Sequence, residues 1–197
     1  MAKVHFYYSA MNAGKSSTLL QASYNYQERG MRTCLFLPDF VHEATGGYIA
    51  SRIGIQHEAI AFDRSFDFEN YLSSCTEKPH CLLIDEAQFL MKQQVYELSK
   101  IADQLNIPVL AYGLRSDFRA EPFEGSQYLL VMADVIQEIK TICFCGSKAT
   151  MNLRLDDQGQ VLRAGAQIEL GGNERYLAVC RKHFFELDQL PSALIEA

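Results

Sequence analysis

Apolar residues come in short unbroken runs, separated by stretches with helical spacing and by polar turns. Val4 to Tyr8 is the first such run and predicts a buried strand. Ser17 to Arg29 carries Leu19, Leu20, Ala22, Ser23 and Tyr26 at helical intervals, and Gly30 marks its stop. Thr33 to Leu37 predicts a second buried strand, so strand, helix and strand form a βαβ unit with a right-handed crossover. Residues 38–60 lack a period and predict a mobile loop, with Arg52 placed to reach phosphate or to stand in solvent. Phe66 to Leu72 predicts a short helix, Cys81 to Ile84 a buried strand, and Lys92 to Leu105 a helix with Val95, Leu98, Ile101, Ala102 and Leu105 on one face. Val109 to Tyr112 predicts another strand, Gly113 to Gln127 a long loop, and Tyr128 to Ala133 with Ile139 to Ile142 close the α/β part. From Thr141 the chain turns to Cys, Gly and short alternating strands, with a hairpin turn at Asp157-Gln-Gly159.

The expected fold is α/β: a parallel sheet flanked by helices, of the kind that carries a phosphate-binding loop, followed by a small metal-bound β minidomain. The expected divisions are 1–140, 141–190 and a tail, 191–197.

Two segments carry chemistry in the α/β part. Ser9-Ala-Met-Asn-Ala-Gly14-Lys15-Ser16 lies between the first strand and the first helix. It follows the pattern G-x-x-x-x-G-K-[ST] with Ser9 at the first glycine. Gly14 permits a turn with positive φ that points successive N–H groups at phosphate oxygens, and the helix N-terminus adds its positive end. Lys15 brings charge to the outer phosphates, and the Ser16 hydroxyl can ligate Mg²⁺. Asp85-Glu86 follows the strand at 81–84. An aspartate there holds Mg²⁺, and the adjacent Glu86 is placed as general base. The pair leaves open whether Glu86 activates water, as in an ATPase, or a substrate hydroxyl, as in a kinase.

Composition narrows the partners. The 197 residues are 48% hydrophobic, enough for a core, and the net charge is −6. An acidic chain without a basic stripe disfavours nucleic acid as a partner. No apolar run reaches membrane-spanning length and no leader pattern opens the chain, so the expectation is a cytoplasmic protein with no membrane partner. Cys34, Cys75 and Cys81 fall singly and read as core filling. Cys143, Cys145, Cys180 and His183 form two close pairs, a Cys₃His set that closes around one structural Zn²⁺.

Together these residues resemble the zinc-containing, P-loop thymidine kinases of bacteria and animal cytosol. The resemblance runs through residues 3–185 and is carried by the loop at 9–16, Asp85-Glu-Ala-Gln-Phe89, Gly113 to Phe118, Phe123-Glu-Gly-Ser126, Gly171 to Tyr176 and the four metal ligands. It implies transfer of the ATP γ-phosphoryl group to the 5′-hydroxyl of thymidine or deoxyuridine, in pyrimidine salvage. Glu86 would be the catalytic base. Ser9, Ala10, Met11, Asn12, Ala13, Gly14, Lys15, Ser16, Ser17, Asp85 and Gln88 would serve ATP and Mg²⁺. Met11, Phe89, Leu114, Phe118, Phe123, Gln167, Glu169, Gly171 and Tyr176 would surround the nucleoside, with residues 113–126 as a "lasso". The resemblance further implies a homotetramer inhibited by dTTP.

One departure stands out. Where bacterial relatives carry an arginine in the loop after the second strand, this chain has Phe40-Val-His-Glu43, and Arg52 in Ser-Arg-Ile-Gly is the remaining candidate for part of that role. Two other readings of the residues stay open: a DNA-stimulated ATPase with the metal module as its DNA contact, and an ATP-gated binding module without catalysis.

Overall fold

A computed structural model describes residues 1–167 and 175–191. In chain order the elements are β1 (Val4–Ser9), α1 (Lys15–Gln27), β2 (Thr33–Pro38), α2 (Asp39–Ala44), β3 (Tyr48–Ala50), β4 (Gln56–Glu58), β5 (Ile60–Phe62), α3 (Phe68–Ser74) and β6 (Cys81–Ile84). A 3₁₀ turn (Ala87–Phe89) follows, then α4 (Lys92–Leu105), β7 (Val109–Leu114), α5 (Glu124–Met132) and β8 (Val135–Glu138). The C-terminal region holds β9 (Thr141–Ile142), β10 (Lys148–Ala149), β11 (Met151–Leu155), β12 (Val161–Leu162), β13 (Tyr176–Val179) and α6 (Arg181–Glu186).

Six strands form one sheet in the order β5-β2-β6-β7-β1-β8, and every pairing in it is parallel. Helices cover both faces, which is why the central strands read as continuous apolar runs rather than alternating ones. On β6, Leu82 and Ile84 join the core under α3, α4 and α5, while Cys81 and Leu83 join the core under α1. All four are fully buried, and each aliphatic side chain so buried contributes about 1.5–3 kcal/mol. Phe36 sits at the centre of an aromatic cluster, with Phe68 at 5.1 Å and Tyr71 at 5.5 Å between ring centroids.

Helix ends follow local chemistry. Asp67 caps α3 by accepting the Asn70 N–H over 2.8 Å. At the start of α4, Gln94 accepts the Met91 N–H over 2.9 Å, and its amide nitrogen donates to the carbonyls of Asp63 and Phe66.

The structure corrects two expectations. Residues 38–60, expected as a loop, contain α2, the β3–β4 hairpin and the start of β5, which extends the sheet beside β2. Three-residue strands are too short to show a period. The long loop expected at 113–127 is shorter: β7 runs on to Leu114, α5 begins at Glu124, and Tyr128 to Met132 is helical. The edge strand β8, with Ile136 exposed, lies between the two segments expected to close the α/β part.

The C-terminal region is antiparallel. It has a three-stranded sheet in the order β12-β11-β13 and a β9–β10 hairpin. The turn expected at residues 157–159 joins β11 to β12, with Gly159 at φ 75°. Its small core of Cys143, Ala149, Met151, Leu153, Val179 and Phe184 also takes in Ala10 from the α/β part. Among the described residues, no helix is long and apolar enough to cross a membrane.

Candidate active site and metal cluster

Strand β1 ends at Ser9, and the chain turns through residues 10–14 before α1 begins. Asn12 (φ 60°) and Gly14 (φ 83°) both take left-handed backbone conformations. That geometry turns consecutive amides toward one concavity at the positive end of α1. Lys15 is buried, and its Nζ donates to the Ser9 hydroxyl over 3.3 Å, so Ser9 occupies the first position of the motif as a lysine partner. The hydroxyl in turn donates to the Ala10 carbonyl over 2.6 Å.

A cavity of about 290 Å³ opens in front of this loop, lined by residues 11–17 together with Ser51, Arg52, Glu86 and Leu114. Arg52 reaches across from the β3–β4 hairpin and donates to the Asn12 side-chain oxygen over 2.6 Å. The structure thus places Arg52 at the phosphate loop, whereas Glu43 lies on α2.

The end of β6 supplies the acids. Asp85 is 3% exposed, and burial, reinforced by the neighbouring Glu86 charge, pushes its carboxyl up to about 6, against the opposing pull of Ser16 and Lys15. Glu86 adopts φ 51°, uncommon outside glycine, and its N–H donates to Asp85 Oδ1 over 3.0 Å. This kink sends the Asp85 side chain toward Ser16 and Lys15 and the Glu86 side chain into the cavity. Gln88, also buried, donates to Glu86 Oε2 over 2.6 Å and accepts the Leu114 N–H over 3.0 Å.

The residues expected around a nucleoside are only partly gathered at the cavity. Met11 and Leu114 line it. Phe89 and Phe123 meet edge-on at 5.6 Å, and Phe40 meets Phe89 edge-on at 5.0 Å. Phe118 is 1% exposed and lies under the Arg154 guanidinium at 4.3 Å. Gln167 donates to Asp117 over 3.2 Å, and the Tyr176 carbonyl accepts the Asn12 side-chain amide over 3.4 Å. Glu169 and Gly171 lie outside the described residues.

At the far end, one ligand atom from each of Cys143, Cys145, Cys180 and His183 falls within 4.8 Å of all the others. Cys143 Sγ and His183 Nδ1 are 3.2 Å apart, Cys180 Sγ and His183 Nδ1 3.6 Å, and the Sγ atoms of Cys145 and Cys180 4.0 Å. A zinc–sulfur bond of about 2.3 Å sets tetrahedral sulfurs roughly 3.8 Å apart, so the cluster fits one ion. The Ser147 hydroxyl and amide hold the Cys145 thiol down at about 6, which favours the thiolate. Phe144 stacks on the His183 ring at 4.4 Å.

The sequence profile of the thymidine kinase family matches residues 2–184. The chain belongs to the thymidine kinase family. It is 59% identical to the thymidine kinase of Coxiella burnetii over 187 residues, covering 93% of this chain and 95% of that one. It is 57% identical to that of Zymomonas mobilis, covering 94% and 97%, and 54% identical to that of Escherichia coli, covering 98% and 95%.

Beside the cavity of this thymidine kinase family member, three buried residues that sequence reasoning passed over tie its elements together: Asp117, Asn152 and Arg154. Asp117 is buried and accepts the N–H groups of Arg119 and Glu121, the Arg119 guanidinium and the Gln167 amide. Asn152 accepts the Met11 N–H over 2.8 Å and donates to the Ser116 carbonyl over 3.3 Å. Arg154 backs Phe118 and donates to the Ala166 carbonyl over 2.9 Å. The available signal was a polar residue at every second place of a strand, Asn152 and Arg154, in a region too small to leave such groups unpaired.

Proposed function

We propose that this chain is a thymidine kinase that transfers the ATP γ-phosphoryl group to the 5′-hydroxyl of thymidine, or deoxyuridine, giving dTMP. The observation that carries the reading is a single cavity. It brings together the phosphate loop, the Glu86 carboxylate and Leu114 of the lasso.

In this reading the amides of residues 11–17 and the Lys15 ammonium bind the triphosphate, and Arg52 covers it from the hairpin. Ser16 and Asp85 would hold Mg²⁺, which when bound supplies positive charge to the phosphate oxygens. Their hydroxyl and carboxyl oxygens form the hard donor set that this ion takes. Glu86 accepts the proton of the 5′-hydroxyl as its oxygen bonds to the γ-phosphorus, and the bond from that phosphorus to the β–γ bridging oxygen breaks to release ADP. Gln88 keeps the Glu86 carboxylate aimed and links it to the lasso at Leu114. The family resemblance assigns Met11, Phe89, Leu114, Phe118 and Phe123 to the walls of the base pocket and Gln167, Glu169, Gly171 and Tyr176 to the nucleoside as well, a setting that would exclude water from the γ-phosphate.

The Cys₃His cluster would hold Zn²⁺ with no open position, so the ion is structural and supports a C-terminal minidomain, 141–190, beside an ATP-binding domain, 1–140, and a tail, 191–197. The family resemblance extends the proposal to a cytoplasmic homotetramer inhibited by dTTP.

The test is ADP release from Mg·ATP with and without thymidine, with the nucleoside product analysed in the same reaction. Thymidine-dependent ADP with an equal amount of dTMP is expected. ADP formed without thymidine would mean that Glu86 activates water, and would overturn the proposal.

A further inference from the structure

The phosphate loop is held from the C-terminal region at three consecutive residues. The Ala10 side chain packs in that region's core with Cys143, Met151 and Leu153. The Met11 N–H donates to Asn152 on β11 over 2.8 Å. The Asn12 side-chain amide donates to the Tyr176 carbonyl on β13 over 3.4 Å. Asn152 also reaches the segment after β7, by donating to the Ser116 carbonyl over 3.3 Å. Nearby, Arg115 donates to the Thr150 carbonyl over 3.2 Å, a second tie between that segment and the approach to β11.

We propose that Asn152 is a positioning residue that fixes the phosphate loop against the lasso, and so sets how the γ-phosphate meets the nucleoside hydroxyl. The inference rests on the kinase reading. Its physical basis is the carboxamide itself: a planar group with an acceptor and a donor at fixed separation, 3% exposed, with each end bonded to a different part of the site. Burial strengthens both bonds and holds the side chain to one geometry. Reaction rate is sensitive to displacements of about 1 Å between reacting groups, so a rigid bridge between the two subsites acts on turnover rather than on the binding of either ligand alone. The bridge ends on a strand of the metal-stapled region, which gives that region a part in alignment as well as in covering the nucleoside.

Two substitutions separate this from a structural role. Asn152→Leu keeps the volume and removes both bonds. Asn152→Asp keeps an acceptor for Met11 and, when ionised, cannot donate to Ser116. Steady-state kinetics on the full chain are read as kcat per nucleotide-binding site, alongside the KM for ATP, the metal content and the melting midpoint. For Asn152→Leu, kcat is expected to fall roughly tenfold, with the KM for ATP within about threefold and metal content unchanged. Asn152→Asp is expected to lose several-fold in kcat, and it carries the test if the leucine variant does not fold. Wild-type kcat per site in either folded variant overturns the proposal, as does a loss confined to the KM values. Absence of dTMP from the unmodified protein overturns the kinase reading instead, independently of the ratio between variant and wild type.

Discussion

The side-chain amide of Gln88 donates to the carboxylate of Glu86 over 2.6 Å, two residues along the same turn. The other end of that amide accepts the Leu114 N–H, so one buried side chain orients the proposed base and registers it against the lasso. Glu86→Gln removes the proton acceptor while keeping shape, and should lower turnover by about 10²–10⁴-fold. ATP affinity should change little, because the hydrogen bonds of Glu86 run to Asp85 and Gln88 and the triphosphate is assigned to the loop amides and Lys15. Gln88→Met should cost roughly tenfold, since the carboxylate remains but is no longer held, and a buried N–H loses its partner. Product formation and equilibrium binding of a fluorescent ATP analogue check both variants. Retained turnover in Glu86→Gln would remove it as the base.

Asp85 gives a pH dependence with a definite sign. Burial, with the adjacent Glu86 charge, raises its carboxyl to about 6, above the ordinary aspartate value of 3.8. The folded ligand-free protein therefore binds a proton that the unfolded chain releases, and the group's destabilising effect grows from about pH 4 to pH 6 and is complete above that. A shift of this size corresponds to on the order of 3 kcal/mol. Asp85→Asn should accordingly stabilise the ligand-free protein at pH 8 and leave it unchanged near pH 4, by urea denaturation at the two pH values. The same substitution should abolish most turnover by weakening the hold on Mg²⁺. In the unsubstituted protein, apparent Mg²⁺ affinity should fall as pH drops through about 6, because the proton competes for the carboxylate.

The strand, loop and helix at residues 4–27 were legible because a phosphate loop needs fixed residue types at fixed spacing, and the buried parallel strands because both faces are covered. The β3–β4 hairpin and β5 were not legible: each is three residues long, and their pairing is set by Ala59 bonding to Gly47 and by the neighbouring strand β2 rather than by local pattern. The helix at 124–132 was obscured by Gly125 and Ser126 in its first turn, residues chosen for close contact rather than helix propensity. At the site, Lys15, Asp85, Glu86 and the Cys₃His cluster could be found from motif spacing. Asn152 showed only as a polar place on an alternating strand, because its partners Met11 and Ser116 lie far off in sequence. Asp117 showed no pattern, because its nearest partners, Arg119 and Glu121, sit in a turn that carries no motif.

The metal cluster should behave as part of the fold. The proposal predicts about one zinc per chain at neutral pH by elemental analysis. Cys145→Ser removes one thiolate and should reduce metal content sharply. Chelation should lower the melting midpoint and suppress thymidine turnover together, since Ala10 of the phosphate loop belongs to the same small core as Cys143. A metal-free preparation with the original melting midpoint would rule out the staple.

Gly125 makes a sharper prediction, because its surroundings are backbone. It opens the second position of α5, and a Cβ there would stand 2.6 Å from the Ala87 carbonyl oxygen, 2.8 Å from that of Leu90 and 2.9 Å from that of Gln88. No side chain can swing aside to make room. The turn that follows Glu86 would have to move, and with it the Gln88 amide that holds the carboxylate. Gly125→Ala, although alanine favours helices, should therefore destabilise the protein by about 1–3 kcal/mol or more, as overpacking does. The folded fraction should also turn over more slowly than wild type, because the strain is relieved at the base. A urea titration paired with turnover per nucleotide-binding site measures both effects. A stabilised, fully active alanine variant would show that the contact between α5 and the 3₁₀ turn does not set the position of Glu86.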